Sequence, residues 1–306
     1  MVFGSPSICE ETVGNRLLIR LGIGLLFALF GLISYCTNVV QNPVTGEKQR
    51  VQLTPNQEVV LGQRASQQMA AKNGGAYPDA ALQKYVAQVG ERIVRQSSAS
   101  KAPSPNSQYP YKFYLLNNPQ TINAFALPGG PVFITVGLLR RLKSEAQLAG
   151  VLGHEIGHVV ARHGAEHLAK QQLGTSLVNA IGVAASDNPQ DAQRAAVLAQ
   201  AANQMVSLQY GRADELESDQ LGFRFMSEAG YNPQGIVELM QILGSARQGG
   251  ASPEFFSTHP NPENRFERLK NLIAQKYPNG VPANLQEGRE TFAKSVQGRL
   301  PGQIAQ

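Results

Sequence analysis

The sequence predicts an α+β fold, a small β-sheet followed by a helical majority, and three observations carry that reading. Three short strand-like runs, Tyr111–Leu116, Ile122–Leu127 and Val132–Val136, are broken by Pro119 and by Pro128-Gly129-Gly130-Pro131. From Ser144 onward the apolar residues recur at helical spacing. The chain has 306 residues, 42% of them apolar and only 16% charged, enough for a real core and incompatible with a disordered or solvating chain. Its 30 glycines and 18 prolines show no period, which excludes collagen-like and low-complexity classes.

Residues 1–35 read as a targeting or anchoring segment. Arg16 and Arg20 precede Leu21–Ile33, thirteen residues without a charge. Two readings fit. Cys36, after Leu32-Ile33-Ser34-Tyr35, resembles the lipidated cysteine of a bacterial lipoprotein, although Tyr35 stands where a small residue is expected. Alternatively Leu17–Tyr35 is an uncleaved membrane helix of about 28 Å, just long enough to span. Either way the arginines stay cytoplasmic and the rest of the chain is exported.

Residues 36–53 read as a linker with turns at Asn42-Pro43 and Thr45-Gly46. The main domain is expected over 54–276, and 277–306 as a loose Gly/Pro/Gln-rich tail. Thr54-Pro55-Asn56-Gln57 is a capping box with proline at the first helical position, opening a helix to about Lys72. A second helix runs from Asp79 to Gln96, and Ser97–Ser107 reads as a flexible loop. Ser144-Glu145-Ala146-Gln147 is another capping box, leading into AQLAGVLGHEIGHVVARH. Further helices fit Ala165–Ala184, Pro189–Ser207, Arg212–Ala229 with Gly230 as its stop, Pro233–Ala246 and Pro262–Lys276.

The net charge of +5 is spread without a Lys/Arg block, so nucleic acid is not indicated as a partner. Both cysteines, Cys9 and Cys36, precede the folded domain. Any metal there must be held by histidines and carboxylates.

That chemistry sits at His154-Glu155-Ile156-Gly157-His158. On a helix, residues i and i+4 project to one side, the bite that a tetrahedral zinc needs from two imidazoles. Glu155, beside the first ligand, would take a proton from zinc-bound water. The third ligand must come from elsewhere. Position 164 is glycine, so the metzincin spacing fails, and Glu166 would point away further along the same helix. The better source is Tyr210–Gly222, where Glu215 and Asp219 stand at i, i+4. One could ligate and the other orient a ligating imidazole. On spacing alone, a solvated acidic helix face is the competing reading.

HEIGHVVARH, then GRADELESD, then STHPNPENR, with NAFALPGGPVFITVGLL upstream and CTNVVQNPVTGEKQ after the leader, resemble the membrane-associated zinc metallopeptidases. These include HtpX, the CAAX prenyl proteases and the periplasmic BepA-like peptidases. The resemblance covers roughly residues 36–275. It implies a mainly helical zincin-type domain with the small sheet beside the HExxH helix. It also implies one zinc held by His154, His158 and Glu215, Glu155 as general base, and Asp219 hydrogen-bonding a ligating histidine.

His259 matches a histidine that lies beside the metal in such peptidases, as an oxyanion donor or as a fourth ligand holding the enzyme latent. Arg212 and Arg265 match family arginines, with surface ion pairing as the competing reading. His163 also fits the pattern, but lies five residues past His158 on another face and reads as structural. Asn123-Ala124-Phe125 would lie on the sheet edge where an extended substrate adds as a strand. Gly211 and Ser218 replace the usual Ser and Ala without removing a ligand. No second strong hydrophobic span and no C-terminal helical repeats are found, and Ala165–Ala185 reads as core packing rather than a membrane-dipping or lid hairpin.

The expected function is a cell-envelope zinc endopeptidase, facing the periplasm, that degrades misfolded or misassembled envelope proteins. Its rival from another class is a non-hydrolytic chaperone with the same fold and a plugged or structural metal site.

Overall fold

A computed structural model describes residues 8–104, 107–185, 210–248, 254–259 and 264–300. The helix expected over 189–207 and the prolines of the STHPNP segment lie outside the described residues. The chain is α+β and mainly helical, as expected, and divides into two compact units.

The first unit comprises Met1–Val40, Gln49–Gln52 and Glu166–Leu208. Its helix α1 (Ile8–Thr37) is long and apolar enough over Asn15–Thr37 to cross a membrane. The remainder of this unit's described helix belongs to α6 (His163–Ala185). A Cβ at Gly31 would lie 2.6 Å from Ser176 Cβ, so the bare glycine backbone lets α1 approach α6 closely. The core packing expected for Ala165–Ala185 is partial along its described part. Ala169 and Ala180 are buried there, but Leu173 and Val178 are only half-buried and Leu177 is 42% exposed.

The second unit comprises Gln41–Lys48, Leu53–Ala165 and Gln209–Gln306. Thr54 closes the expected capping box on α2 (Pro55–Lys72), and Asp79 caps α3 (Ala80–Gln96) by accepting from the Ala81 and Leu82 amides. A three-stranded sheet has the order β1 (Lys112–Leu116), β3 (Pro131–Thr135), β2 (Ala124–Ala126). Strand β1 runs parallel to β3 with Phe113 opposite Val132, and β2 runs antiparallel with Phe125 opposite Phe133. The β2–β3 turn takes Gly129 and Gly130 at φ of 79° and 120°, where side chains are strained.

After the short α4 (Val136–Leu139), Ser144 starts α5 (Glu145–Val160) by accepting from the Gln147 amide. From Ala146 to Val160 every residue of α5 is buried, which explains its nearly continuous apolar sequence. Around it pack α3, the sheet, α7 (Arg212–Glu228) and α8 (Gln234–Gln248). The contact with α7 is close: a Cβ at Gly157 would lie 3.1 Å from Ser218 Cα, and one at Gly222 would lie 2.9 Å from His154 N. A short α9 (Phe255–Thr258) and then α10 (Arg265–Lys276) complete the wall of the site.

Three expectations are corrected. The helix carrying His154 and His158 ends at Val160. Arg162 then takes a left-handed φ of 56°, and α6 begins at His163. Glu166 is therefore on a new helix, where it accepts from the Arg50 amide. Ser97–Ser107 is not simply a loose loop, because Ser98–Lys101 forms a 3-10 turn whose Ser98 amide and hydroxyl both donate to Glu228. The stretch after Tyr277 is packed through Leu300: Phe292, Val296 and Leu300, at i, i+4 spacing, are buried in the core. Polar composition hid that single apolar stripe.

Candidate metal centre

The two imidazoles of α5 converge as the HExxH spacing requires. His154 Nε2 lies 3.1 Å from His158 Nε2. From α7, Glu215 brings its carboxylate to 3.5 Å from His154 Nε2 and 3.4 Å from His158 Nε2. His259, just after α9, closes the group with Nδ1 at 2.9 Å from Glu215 Oε1 and 3.4 Å from His154 Nε2. All four residues are buried, and one donor atom from each falls within 4.8 Å of the others.

A tetrahedral ion with bonds of about 2.0–2.1 Å needs donor separations of about 3.3–3.4 Å. The separations found bracket that figure. The electrostatics also fit a cation: Glu155, Glu215 and Asp219 are buried together against one buried guanidinium, Arg265. Burial opposes the charge on Glu215, but His259, His154 and His158 hold its carboxyl well below the usual range. Burial likewise disfavours a charged His154, yet Asp219 and Glu215 raise its pKa to about 9. His158 is pushed down by burial. Three nitrogens and a carboxylate suit zinc among the common divalent ions.

Around these groups, Asp219 Oδ1 lies 3.0 Å from His154 Nδ1. Arg265 grips Asp219 through Nε at 2.7 Å and Nη2 at 2.6 Å, and pairs with Glu215 at 3.0 Å. Arg265 thus joins the cluster. Arg212 does not: it is exposed in the first turn of α7, before that helix meets α5 at Ser218 and Gly222. Glu155 is fully buried, and neither carboxylate oxygen has a hydrogen-bond partner among the described residues. Burial raises its pKa, against the pull of His259 and His154.

Strand β2 forms one edge of the sheet among the described residues. Thr135 N donates to Asn123 O and Leu127 N to Pro131 O, so residues 123, 125 and 127 spend their backbone groups on β3. By alternation Ala124 and Ala126 turn theirs away from β3, and Asn123 and Phe125 do not. Sequence reasoning passed over Tyr210, whose ring stacks on His158 at 3.9 Å, and Glu217, which reaches His163. Both lie inside Tyr210–Gly222, but stacking and a contact with a residue outside the metal group leave no spacing signal.

The profile of peptidase family M48 matches residues 80–273, which include every member of this cluster. The chain belongs to peptidase family M48. Curated M48-like relatives include the beta-barrel assembly-enhancing protease of Escherichia coli (strain K12), 33% identical over 65% of this chain and 40% of the relative. The Yersinia pestis protein of the same name is 32% identical over 77% of this chain and 48% of its own length. The mitochondrial metalloendopeptidase OMA1 of Schizosaccharomyces pombe is 29% identical over 80% and 69%. This M48 chain therefore spans less than half the length of the bacterial relatives named.

Proposed function

We propose that this M48 chain is a zinc-dependent endopeptidase of the cell envelope, tethered near its N-terminus, that hydrolyses misfolded or misassembled proteins. The observation that carries the reading is the buried group of His154, His158 and Glu215 with, on the same helix, the Glu155 carboxylate, which has no hydrogen-bond partner among the described residues. Those three residues would hold the ion, which when bound supplies Lewis acidity and a lowered water pKa. Glu155 accepts the proton of the attacking water, and its buried setting raises its basicity toward that task. Ala124 and Ala126 turn their N–H and C=O groups away from β3, and a substrate in extended form would add along that edge. Unfolded chains meet that demand and compact neighbours do not.

His259 is read as a fourth ligand that holds the site latent. Its support is the position of Nδ1 among the donor atoms. The relatives named for beta-barrel assembly and for mitochondrial endopeptidase activity, together with the apolar α1, support an envelope location. The deciding assay is casein digestion by the full chain in detergent, with and without a chelator. Zinc-dependent cleavage is the expected result. A zinc-loaded protein that binds unfolded casein without cutting it would be the chaperone instead.

A further inference from the structure

His163 was expected to be structural because five residues from His158 is the wrong helical face. The break at Arg162 overturns that geometry. His163 is buried, its Nδ1 lies 2.9 Å from His158 Nδ1, and its Nε2 lies 3.1 Å from Glu217 Oε2. We propose that His163 and Glu217 are positioning residues that fix the tautomer and aim of His158.

The hydrogen-bond bookkeeping allows one arrangement. His158 turns Nε2 toward His154 Nε2 and Glu215, so a ligating ring must carry its proton on Nδ1. That proton is donated to His163 Nδ1, which must then be an acceptor. The His163 proton is left on Nε2, where it is donated to the Glu217 carboxylate. The reverse direction would aim a lone pair of His163 at the Glu217 anion and place an N–H of His158 among the donor atoms. The two α5 histidines are thus supported differently. His154 has a carboxylate beside its Nδ1, and His158 reaches one through a second imidazole. Glu217, with its side chain 23% exposed, ends the relay at the surface.

The inference rests on His158 being a metal ligand, and the test separates the two ideas. Full-length parent, Glu217→Ala, Glu217→Gln and His163→Phe are purified in detergent. Zinc affinity is read by chelator competition, the ligand field by the visible spectrum of the cobalt-loaded protein, and the fold by melting of the metal-free form. Loss of an outer hydrogen bond to a ligand typically weakens metal binding by about 10–100-fold. Glu217→Ala should show a loss of that order with an altered cobalt spectrum and unchanged metal-free melting. Glu217→Gln, whose amide oxygen still accepts from His163, should fall between it and the parent. Because Glu217 is half-buried, this series stands even if His163→Phe fails to fold. Zinc affinity within twofold of the parent and an unchanged cobalt spectrum in Glu217→Ala would overturn the relay alone. A parent that binds no zinc would overturn the metal reading as well.

Discussion

Glu155 and His259 face one another across the site, with His259 Nε2 3.6 Å from Glu155 Oε1, and their proposed roles predict opposite responses. Glu155→Gln keeps the size of the side chain and touches no donor atom, so zinc should remain bound. The amide cannot accept a proton from water, so casein turnover should vanish. Equal turnover in variant and parent would remove Glu155 from the reaction. His259→Ala should leave three ligands, a number sufficient for a catalytic site, and open the fourth position. Casein turnover should then rise, with zinc content unchanged. A fall in kcat of about 10²–10³-fold with little change in KM would instead make His259 an oxyanion donor.

Helices α5 and α7 carry the centre between them, and their separation sets the reach of Glu215 and Asp219. Gly222→Ala adds a methyl group that would meet the backbone of His154 at 2.9 Å, where no flexible side chain can move aside. Overpacking of this kind costs about 1–3 kcal/mol. The metal-free melting temperature and zinc affinity should therefore fall together. Unchanged values in both would show that the two helices separate freely. At the far end of α7, Glu228 accepts from the amide and hydroxyl of Ser98, each at 2.7 Å, and from Arg224. Burial pushes its pKa up, but those donors outweigh it and hold the carboxyl below its usual value. A depressed pKa means the contribution to stability is full above the unfolded value of about 4.3 and is lost as pH falls. Glu228→Gln should melt below the parent at neutral pH and converge with it as pH falls through the depressed pKa. A constant gap across that range would count against the charge as the cause.

At the scale of the whole molecule, the question is how the chain is held. Cys36 is exposed and unpaired near the end of α1. As a lipoprotein cysteine it would carry acyl chains contributing about 0.8 kcal/mol per buried methylene, ample for stable anchoring. Cys36→Ser should then stay at precursor mass and take up no labelled fatty acid, while the parent is shortened and labelled. An unlabelled parent of full mass would leave α1 itself as the anchor.

Much of the site was legible in the sequence because its spacings are local. His154, Glu155 and His158 lie within one helical turn and a half, and Glu215 and Asp219 within another, so 3.6 residues per turn already determines which side chains share a face. Caps at Thr54, Asp79 and Ser144 were equally local, each a side chain meeting an amide two or three residues away. One local rule misled. The helical count past His158 failed at Arg162, whose left-handed backbone accompanies a buried ion pair with Glu58 and a bond to Leu53 O. Those partners are about a hundred residues away, and no pattern near Arg162 encodes them. The same holds for the packed segment after Tyr277, for Arg265 entering the cluster while Arg212 stays outside, and for the relay through His163 to Glu217. Sequence periodicity determines the faces of each element. Which face meets which, and therefore which hydrogen bonds a buried polar group finds, was decided only when the chain closed on itself.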